Sequence, residues 1–182
     1  FVAGLEVKLE MDPAEVIDEL AKTCLGQISE MGGVFRMRVG APAAPVQFIT
    51  DEDIVISAPQ ELDPFPGLAA SANAIASDYP EPASLWTSRA APPLFNAAWE
   101  AEDGGRRLST SLNFPACSDV SQVAQLMAAY IKDARRFRTH RLVLPPEAFV
   151  LEPLDTIAWT SARNGYTNKI FEVVEITDQP GT

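Results

Sequence analysis

The chain contains one histidine, His140, which is the only candidate for the base of a serine or cysteine triad. It stands between Thr139 and Arg141, at the start of a predicted strand. The sequence also lacks the Gly-x-Ser-x-Gly element that presents a nucleophile at a sharp turn between a strand and a helix. We therefore expect His140 to be structural rather than catalytic.

Glycoside hydrolysis needs two carboxyl groups held several Å apart. Two segments supply candidate acids: Glu100, Glu102, Asp103, Glu152 and Asp155. Because the chain has 25 acidic residues, such a pair is easily drawn and carries little information. A sugar-stacking platform could use the tryptophans, although aromatic residues in β segments usually belong to a core. A glycan module would need exposed tryptophans beside paired acids in one groove: Trp86, Trp99 or Trp159.

No metal or cofactor motif stands out in the sequence. The run Asp51-Glu52-Asp53 lacks the glycine and the spaced downstream ligands of a calcium loop, and we interpret it as a solvated turn. A phosphate-binding glycine loop and zinc-ligand spacing are also missing. Cys24 and Cys117 are expected to be small apolar side chains rather than a disulfide or a metal pair. The sequence thus predicts no catalytic, cofactor-binding or metal-binding residue, and no cofactor.

The net charge of −11 argues against a chain that binds nucleic acid over its whole surface. One local basic cluster exists: Lys132, Arg135, Arg136, Arg138, His140 and Arg141. Cations at the end of a helix are stabilised by the helix dipole without any partner. We therefore favour a structural role for the cluster, while a nucleic-acid-binding domain would show steeply salt-dependent binding.

The first half of the chain is predicted to begin with a strand over residues 1–10, where apolar and charged residues alternate. Asp12 and Pro13 then start a helix that an apolar stripe extends to about Met31, and Gly32-Gly33 end it. Residues 34–39 and 47–50 are predicted to pair as a β-hairpin.

The second half is predicted around residues 103–144, as a strand, a helix and a strand. Residues 95–101 would pair with residues 106–114 through an Asp103-Gly104-Gly105 turn. Ser118 would cap a helix over residues 118–138, followed by a strand over residues 139–144. Two more segments complete the prediction: a surface segment over residues 85–93 pinned by Trp86, and a β-meander with strands 156–160 and 169–176 joined at Asn164-Gly165.

These elements predict an α+β fold in which two long amphipathic helices pack on antiparallel β-sheets. Residues 12–58 would form a helix and β-hairpin subdomain, and residues 1–11 and 68–182 a mainly-β body with the helix 118–138. No apolar run is long enough for a membrane span, and no signal peptide is evident. The start at Phe1 and the polar end at residues 178–182 suggest a fragment of a larger protein.

From residue 72 onward, and over residues 13–177 as a whole, the serial order of short motifs resembles a known family. The motifs are residues 73–80, 102–105, 112–115, 118–136, 142–145 and 154–157. Their order resembles the tail-tip proteins of long-tailed bacteriophages and gene transfer agents, also called host-specificity or central hub proteins.

The resemblance implies a non-enzymatic structural part of a phage or prophage tail tip or baseplate hub. It implies a mainly-β, hub-like body, assembly with other tail proteins, a homotrimeric ring in the full-length context, and a cell-surface receptor reached through other domains. The protein would be made in the bacterial cytoplasm and end in the virion. No functional residue is carried over, because the matching positions, such as Asp103-Gly104 and Asp155, look structural. The alternative is a carbohydrate-binding or glycan-hydrolysing module that acts on the cell wall.

Overall fold

The computed structural model describes residues 3–8, 10–65 and 71–177, which form an α+β fold of three α-helices and twelve short strands. The helices are α1 (Pro13–Lys22), α2 (Ala97–Glu102) and α3 (Val120–Ala134). The strands are β1 (Gly26–Met31), β2 (Val34–Val39), β3 (Gln47–Thr50), β4 (Glu61–Asp63), β5 (Ala74–Ala76), β6 (Asp78–Glu81), β7 (Thr87–Ala90), β8 (Leu94–Phe95), β9 (Ser109–Ser111), β10 (Thr139–Arg141), β11 (Thr156–Ser161) and β12 (Tyr166–Glu172).

The contacts between residues divide the chain into two units. Unit 1 comprises Phe1–Gly26 and Asp63–Arg138, and unit 2 comprises Gln27–Leu62 and Thr139–Thr182. The helices therefore belong to unit 1, whereas unit 2 is built from strands and short 3-10 turns. The helix and β-hairpin subdomain expected over residues 12–58, and the mainly-β body expected over residues 1–11 and 68–182, remain predictions.

Unit 1 packs α3 against a small mixed sheet. Strand β5 lies between β8, to which it is antiparallel, and β9, to which it is parallel, and the β6–β7 hairpin follows β5 directly. The apolar stripe of α3 supplies Val123, Leu126, Met127 and Ile131 to the core of this unit. Other buried members of the core are Ile75, Tyr79, Ala91, Phe114 and Cys117.

Unit 2 is organised by a three-stranded sheet in the order β12-β11-β3. Strands β11 and β12 are antiparallel, whereas β3 runs parallel to β11 and places Ile49 beside Trp159. Strands β1 and β2 form a separate hairpin, and β4 pairs with β10. One face of the three-stranded sheet carries the core of the unit, made by Ile49, Ile54, Leu151, Ile157, Trp159 and Tyr166.

The long first helix predicted over residues 13–31 is wrong in its second half. Asp12 caps α1 as expected, because its side chain accepts a hydrogen bond from the Ala14 N–H at 2.9 Å. The helix ends at Lys22, residues 23–25 form a turn, and residues 26–31 form β1. Gly32-Gly33, with φ of 59° and 80°, is the tight turn of a β1–β2 hairpin, because such turns need positive φ at both central residues.

The predicted pairing of residues 34–39 with residues 47–50 is therefore also wrong. Strand β2 pairs with β1, and β3 joins β11 as a parallel neighbour. The parallel partner of β3 lies more than a hundred positions away and leaves no local signal in the sequence. The two glycines before β2, in contrast, favour a hairpin between the segments that flank them.

Two other predicted strands are wrong. Residues 3–8 and 10 form no strand; the Gly4 N–H donates a hydrogen bond to the Ala116 carbonyl, but no β-ladder follows from it. Residues 1, 2 and 9 lie outside the described part of the chain. Residues 97–102 form α2 instead of a strand. The Asn96 side chain caps this helix by accepting from Ala98 and Trp99, so Asp103-Gly104-Gly105 is a turn that closes a helix.

The predictions around α3 and the last strands are confirmed in part. Helix α3 spans residues 120–134, and its N-cap is Asp119 rather than Ser118. The strands expected over residues 106–114 and 139–144 shorten to β9 and β10. The hairpin of the last two strands is confirmed, with Gly165 at φ 68° in its turn, although β12 covers residues 166–172 rather than 169–176.

The segment 85–93 is more regular than expected. Residues 87–90 form β7, which pairs with β6. Trp86 was expected to pin this segment to the body of the protein, but its side chain is 65% exposed at the tip of the hairpin. That expectation is wrong.

Candidate functional site

Asn73, Asp103 and Arg135 form a polar joint in unit 1. Asn73 is fully buried, and its side-chain amide donates to Asp103 Oδ2 at 2.7 Å and to the Arg106 carbonyl at 2.8 Å. Its Oδ1 accepts from the Leu108 N–H at 2.8 Å. One side chain therefore links the start of β5 to the turn after α2 and to the chain that leads into β9.

Arg135, whose side chain is 9% exposed, completes this joint from the end of α3. Its Nη1 donates to Asp103 Oδ2 at 2.9 Å, and its Nη2 donates to Glu102 Oε2 at 3.1 Å. The guanidinium lies 5.1 Å from the centre of the Trp99 ring. The hydrogen bond from Arg135 and then that from Asn73 lower the pKa of Asp103, which favours its charged form.

The acids considered for glycoside hydrolysis are all paired with arginines. Glu102 and Asp103 bind Arg135, and Glu100 binds Arg107. In unit 2, Glu152 and Asp155 both face Arg36. A general acid needs a carboxyl group that stays protonated near neutral pH, whereas a guanidinium neighbour favours the ionised form. The arrangement suits structural ion pairs better than acid–base chemistry.

The three tryptophans occupy three different environments. Trp159 is 1% exposed inside the core of unit 2, so it cannot stack on a sugar. Trp99 packs against the core of unit 1 and under Arg135. Trp86 alone projects into solvent. The exposed aromatic platform that a glycan module requires is therefore reduced to one side chain.

His140 lies in an aromatic cluster of unit 2. Its ring centre is 4.9 Å from that of Trp159, 5.2 Å from Phe171 and 5.7 Å from Tyr166, each in an edge-to-face arrangement. Its Nε2 is 3.1 Å from the Tyr166 hydroxyl. These contacts explain the histidine as part of the packing of unit 2.

Three arginines of the predicted basic cluster have acidic partners. Besides the Arg135 pairs, Arg136 binds Asp133 at 3.1 Å and Arg141 binds Glu61 at 3.2 Å. These pairs reduce the positive charge that a phosphate backbone would meet.

The acidic run at residues 51–53 forms a short 3-10 turn, in agreement with the predicted turn. Asp53 Oδ2 accepts from the Thr50 N–H at 2.7 Å and from its hydroxyl at 2.9 Å, and these two bonds lower the pKa of Asp53. Within the described residues, no group of three His, Cys, Asp or Glu side chains could hold a metal ion. The same part of the chain holds no helix of the length and hydropathy that crossing a bilayer demands.

The arginines of β2 pair with acids of unit 2, and the apolar residues that alternate with them are exposed. Arg36 faces Glu152 and Asp155, and Arg38 binds Glu172, in a pair whose side chains are both largely buried. Because side chains alternate along a strand, the residues between and beside the arginines lie on the opposite face. These are Phe35, Met37 and Val39, which are 74%, 55% and 57% exposed, and we call them the outer hairpin face.

The sequence shows the alternation that underlies the outer hairpin face, but not which side of the strand is exposed. Residues 34–39 alternate apolar side chains with two arginines, and the usual interpretation puts the apolar side inward. The inversion depends on Glu152, Asp155 and Glu172, which lie more than a hundred residues away and bind the arginines. No local pattern reveals that pairing.

Comparison with known proteins gives one family. The sequence model of a family described as "Putative phage tail protein" matches residues 12–176, which is nearly the whole chain. A comparison with curated protein sequences gives no match.

Proposed function

The chain belongs to this phage tail protein family, and from that premise we propose that it is a non-enzymatic structural component of the tail tip or baseplate hub of a phage, prophage or gene-transfer-agent-like particle. In that role it assembles with other tail proteins, forms a trimeric ring in the full-length context and supports host attachment through other domains.

The observation that carries the proposal is the outer hairpin face. An acidic protein that worked alone would place Phe35, Met37 and Val39 inward, because exposed apolar patches promote association. Here Arg38 is fixed on the inner side by Glu172 and Gln27 and by the Gly40 carbonyl, which accepts at 2.8 Å. The apolar side is therefore held outward, as expected for a surface that a neighbouring subunit covers.

The paired acids support a structural role over catalysis. Each carboxylate considered for hydrolysis faces an arginine, and the pKa of Asp103 is lowered rather than raised. In this proposal the chain acts through its shape and its contacts with other proteins.

The experiment is a deletion of the gene in the source strain, followed by complementation and electron microscopy of induced lysates. We expect the deletion to yield particles without a complete tail tip and the wild-type gene to restore them. Complete, infectious tails in the deletion strain would overturn the proposal.

A matched pair of variants tests the surface. Phe35→Ser with Met37→Ser should fail to restore tails although the protein accumulates, because those side chains are exposed and their loss leaves the core intact. Ile56→Ser, which removes an apolar side chain that is even more exposed, at 88%, but lies outside the hairpin, should restore them. Equal complementation by both variants would contradict the role of the outer hairpin face.

A further inference from the structure

The tip of the β6–β7 hairpin holds two consecutive residues in a strained conformation. Leu85 has φ 58° and ψ 42°, and Trp86 has φ 62°. A left-handed backbone is unfavourable for a residue that has a Cβ, because the Cβ then crowds the following carbonyl oxygen. Both side chains are nevertheless exposed, Leu85 at 89% and Trp86 at 65%, so no packing within the described structure offsets this cost.

Hydrogen bonds hold this tip rigid. The Leu85 N–H donates to the Pro82 carbonyl at 3.1 Å, and the Trp86 N–H donates to the Glu81 carbonyl at 3.0 Å. The Glu81 carboxylate accepts from Arg89 at 2.7 Å and also from the Ser84 hydroxyl. A rigid turn that presents a leucine and a tryptophan loses little entropy on binding, which is the property of an interface anchor.

A groove in the same unit has matching properties. Its floor is the face of β5 that carries Ala74 and Ala76, and one wall is Phe95, the cross-strand neighbour of Ala74. The Arg107 guanidinium lies 4.3 Å over the Phe95 ring and is held there by Glu100. The groove has a volume of about 200 Å³, and Ser109 lines its other side.

The charges decide which occupant fits. Copies of a chain with net charge −11 repel one another, so a contact between copies is favoured where charge is absent or opposite. Residues 82–88, Pro-Ala-Ser-Leu-Trp-Thr-Ser, carry no charge, and the groove wall presents a cation and an aromatic ring to an incoming indole. Indole rings bind guanidinium groups and other aromatic rings favourably.

We infer that the Leu85–Trp86 tip of one copy inserts into the groove between Phe95, Arg107 and Ser109 of a second copy. Donor and acceptor are different surfaces, so the contact is head-to-tail and leaves one tip and one groove open for the next copy. Such a contact closes into a ring when its rotation allows. This inference gives the proposed ring a specific contact between its copies. Only the closure of the ring rests on the proposed function.

A disulfide trap tests this contact, because a tip this small buries too little surface for a stable complex by itself. Leu85→Cys and Ser109→Cys are combined in one chain with Cys24→Ser, which leaves Cys117 as a buried native thiol. Mild oxidation should give a ladder of covalent dimers, trimers and larger species. An equal mixture of the two single-cysteine chains should give dimers that contain one of each, and no larger species.

Several outcomes would overturn the inference. Dimers from Leu85→Cys alone, in equal yield, would mean that tips meet tips. Absence of a ladder in a folded double-cysteine chain would mean that the tip belongs to a different protein or to no partner.

Further substitutions identify the anchor. Adding Trp86→Ser should lower the ladder yield at least about tenfold, as expected for a tryptophan anchor. Adding Phe149→Ser, which changes an apolar side chain that is 74% exposed but belongs to unit 2, should leave the yield unchanged. Equal losses in the two variants would indicate nonspecific aggregation and overturn the inference. Because the trap measures self-contact alone, it can fail while the protein still belongs to tails.

Discussion

Arg135 and Asp103 lie 32 positions apart in the sequence and are joined by a hydrogen bond of 2.9 Å. The bond connects the end of α3 to the turn that follows α2, and Asn73 shares the same carboxylate from the start of β5. Three of the motifs that resemble the tail-tip family thus meet in one joint. These contacts tie together the start of β5, the turn after α2 and the end of α3 within unit 1.

The first prediction concerns this joint. Arg135→Met should lower the thermal midpoint by roughly 5–10 °C, because it leaves the Asp103 carboxylate without its cation in a poorly solvated place. Arg136→Met is the matched control, since its side chain is 51% exposed and its ion pair is with Asp133, three positions earlier. Calorimetry should find the control within about 2 °C of the parent. Similar shifts in both variants would contradict the structural role of Arg135.

The second prediction concerns pH. The pKa of Asp103 is lowered by Arg135 and then by Asn73, so its carboxylate stabilises the fold above the unfolded aspartate value of about 3.9. That contribution disappears as the pH falls through the lowered folded value. The thermal midpoint of Asp103→Asn should therefore lie below that of the parent near neutral pH, and the difference should shrink as the pH falls below the unfolded aspartate value. A gap that stays constant with pH would show that charge is not involved.

The third prediction concerns the β1–β2 turn. Gly33→Val should destabilise the protein by roughly 1–2 kcal/mol, because Gly33 has φ 80° and valine does not tolerate that conformation. The space around Gly33 is open, so backbone strain alone causes the loss. Gly4→Val is the control, as Gly4 also has open space but lacks a positive φ. Thermal midpoints that are equal for Gly33→Val and the parent would refute the prediction.

The fourth prediction concerns the tryptophans. Trp86→Phe should remove most of the fluorescence that acrylamide quenches, because Trp86 is the most exposed indole of the described residues. Trp159→Phe should leave that quenchable emission in place, because Trp159 is enclosed by His140, Tyr166 and Phe171. Quenching that persists in Trp86→Phe would place another tryptophan at the surface and revive the glycan-binding alternative.

Local signals predicted several elements correctly. Asp12 before Pro13 marks the start of α1, and the Asn164-Gly165 pair marks the turn between β11 and β12, because both depend on neighbouring residues. Helix α3 was also found from its apolar stripe. In each case the residues that determine the structure lie within a few positions of one another.

The wrong predictions concern elements whose structure is determined by residues far away in the sequence. The apolar stripe that continues past Lys22 suggested helix, but pairing with β2 turns residues 26–31 into a strand. Strand β3 takes its place beside β11, and β9 beside β5, through parallel pairings that leave no local trace. The outer hairpin face was missed for the same reason. Its orientation is set by Glu152, Asp155 and Glu172, not by the strand itself.

Immunogold electron microscopy tests the central claim most directly. Antibodies raised against this chain are applied to particles from an induced lysate of the source strain. We predict gold at one end of tailed particles, at the end opposite the head, and none in a lysate of the deletion strain. Antigen that stays soluble, with no labelled particles, would contradict the assignment to a tail tip. Labelling along the whole tube would also contradict it and would assign the protein to the tube wall.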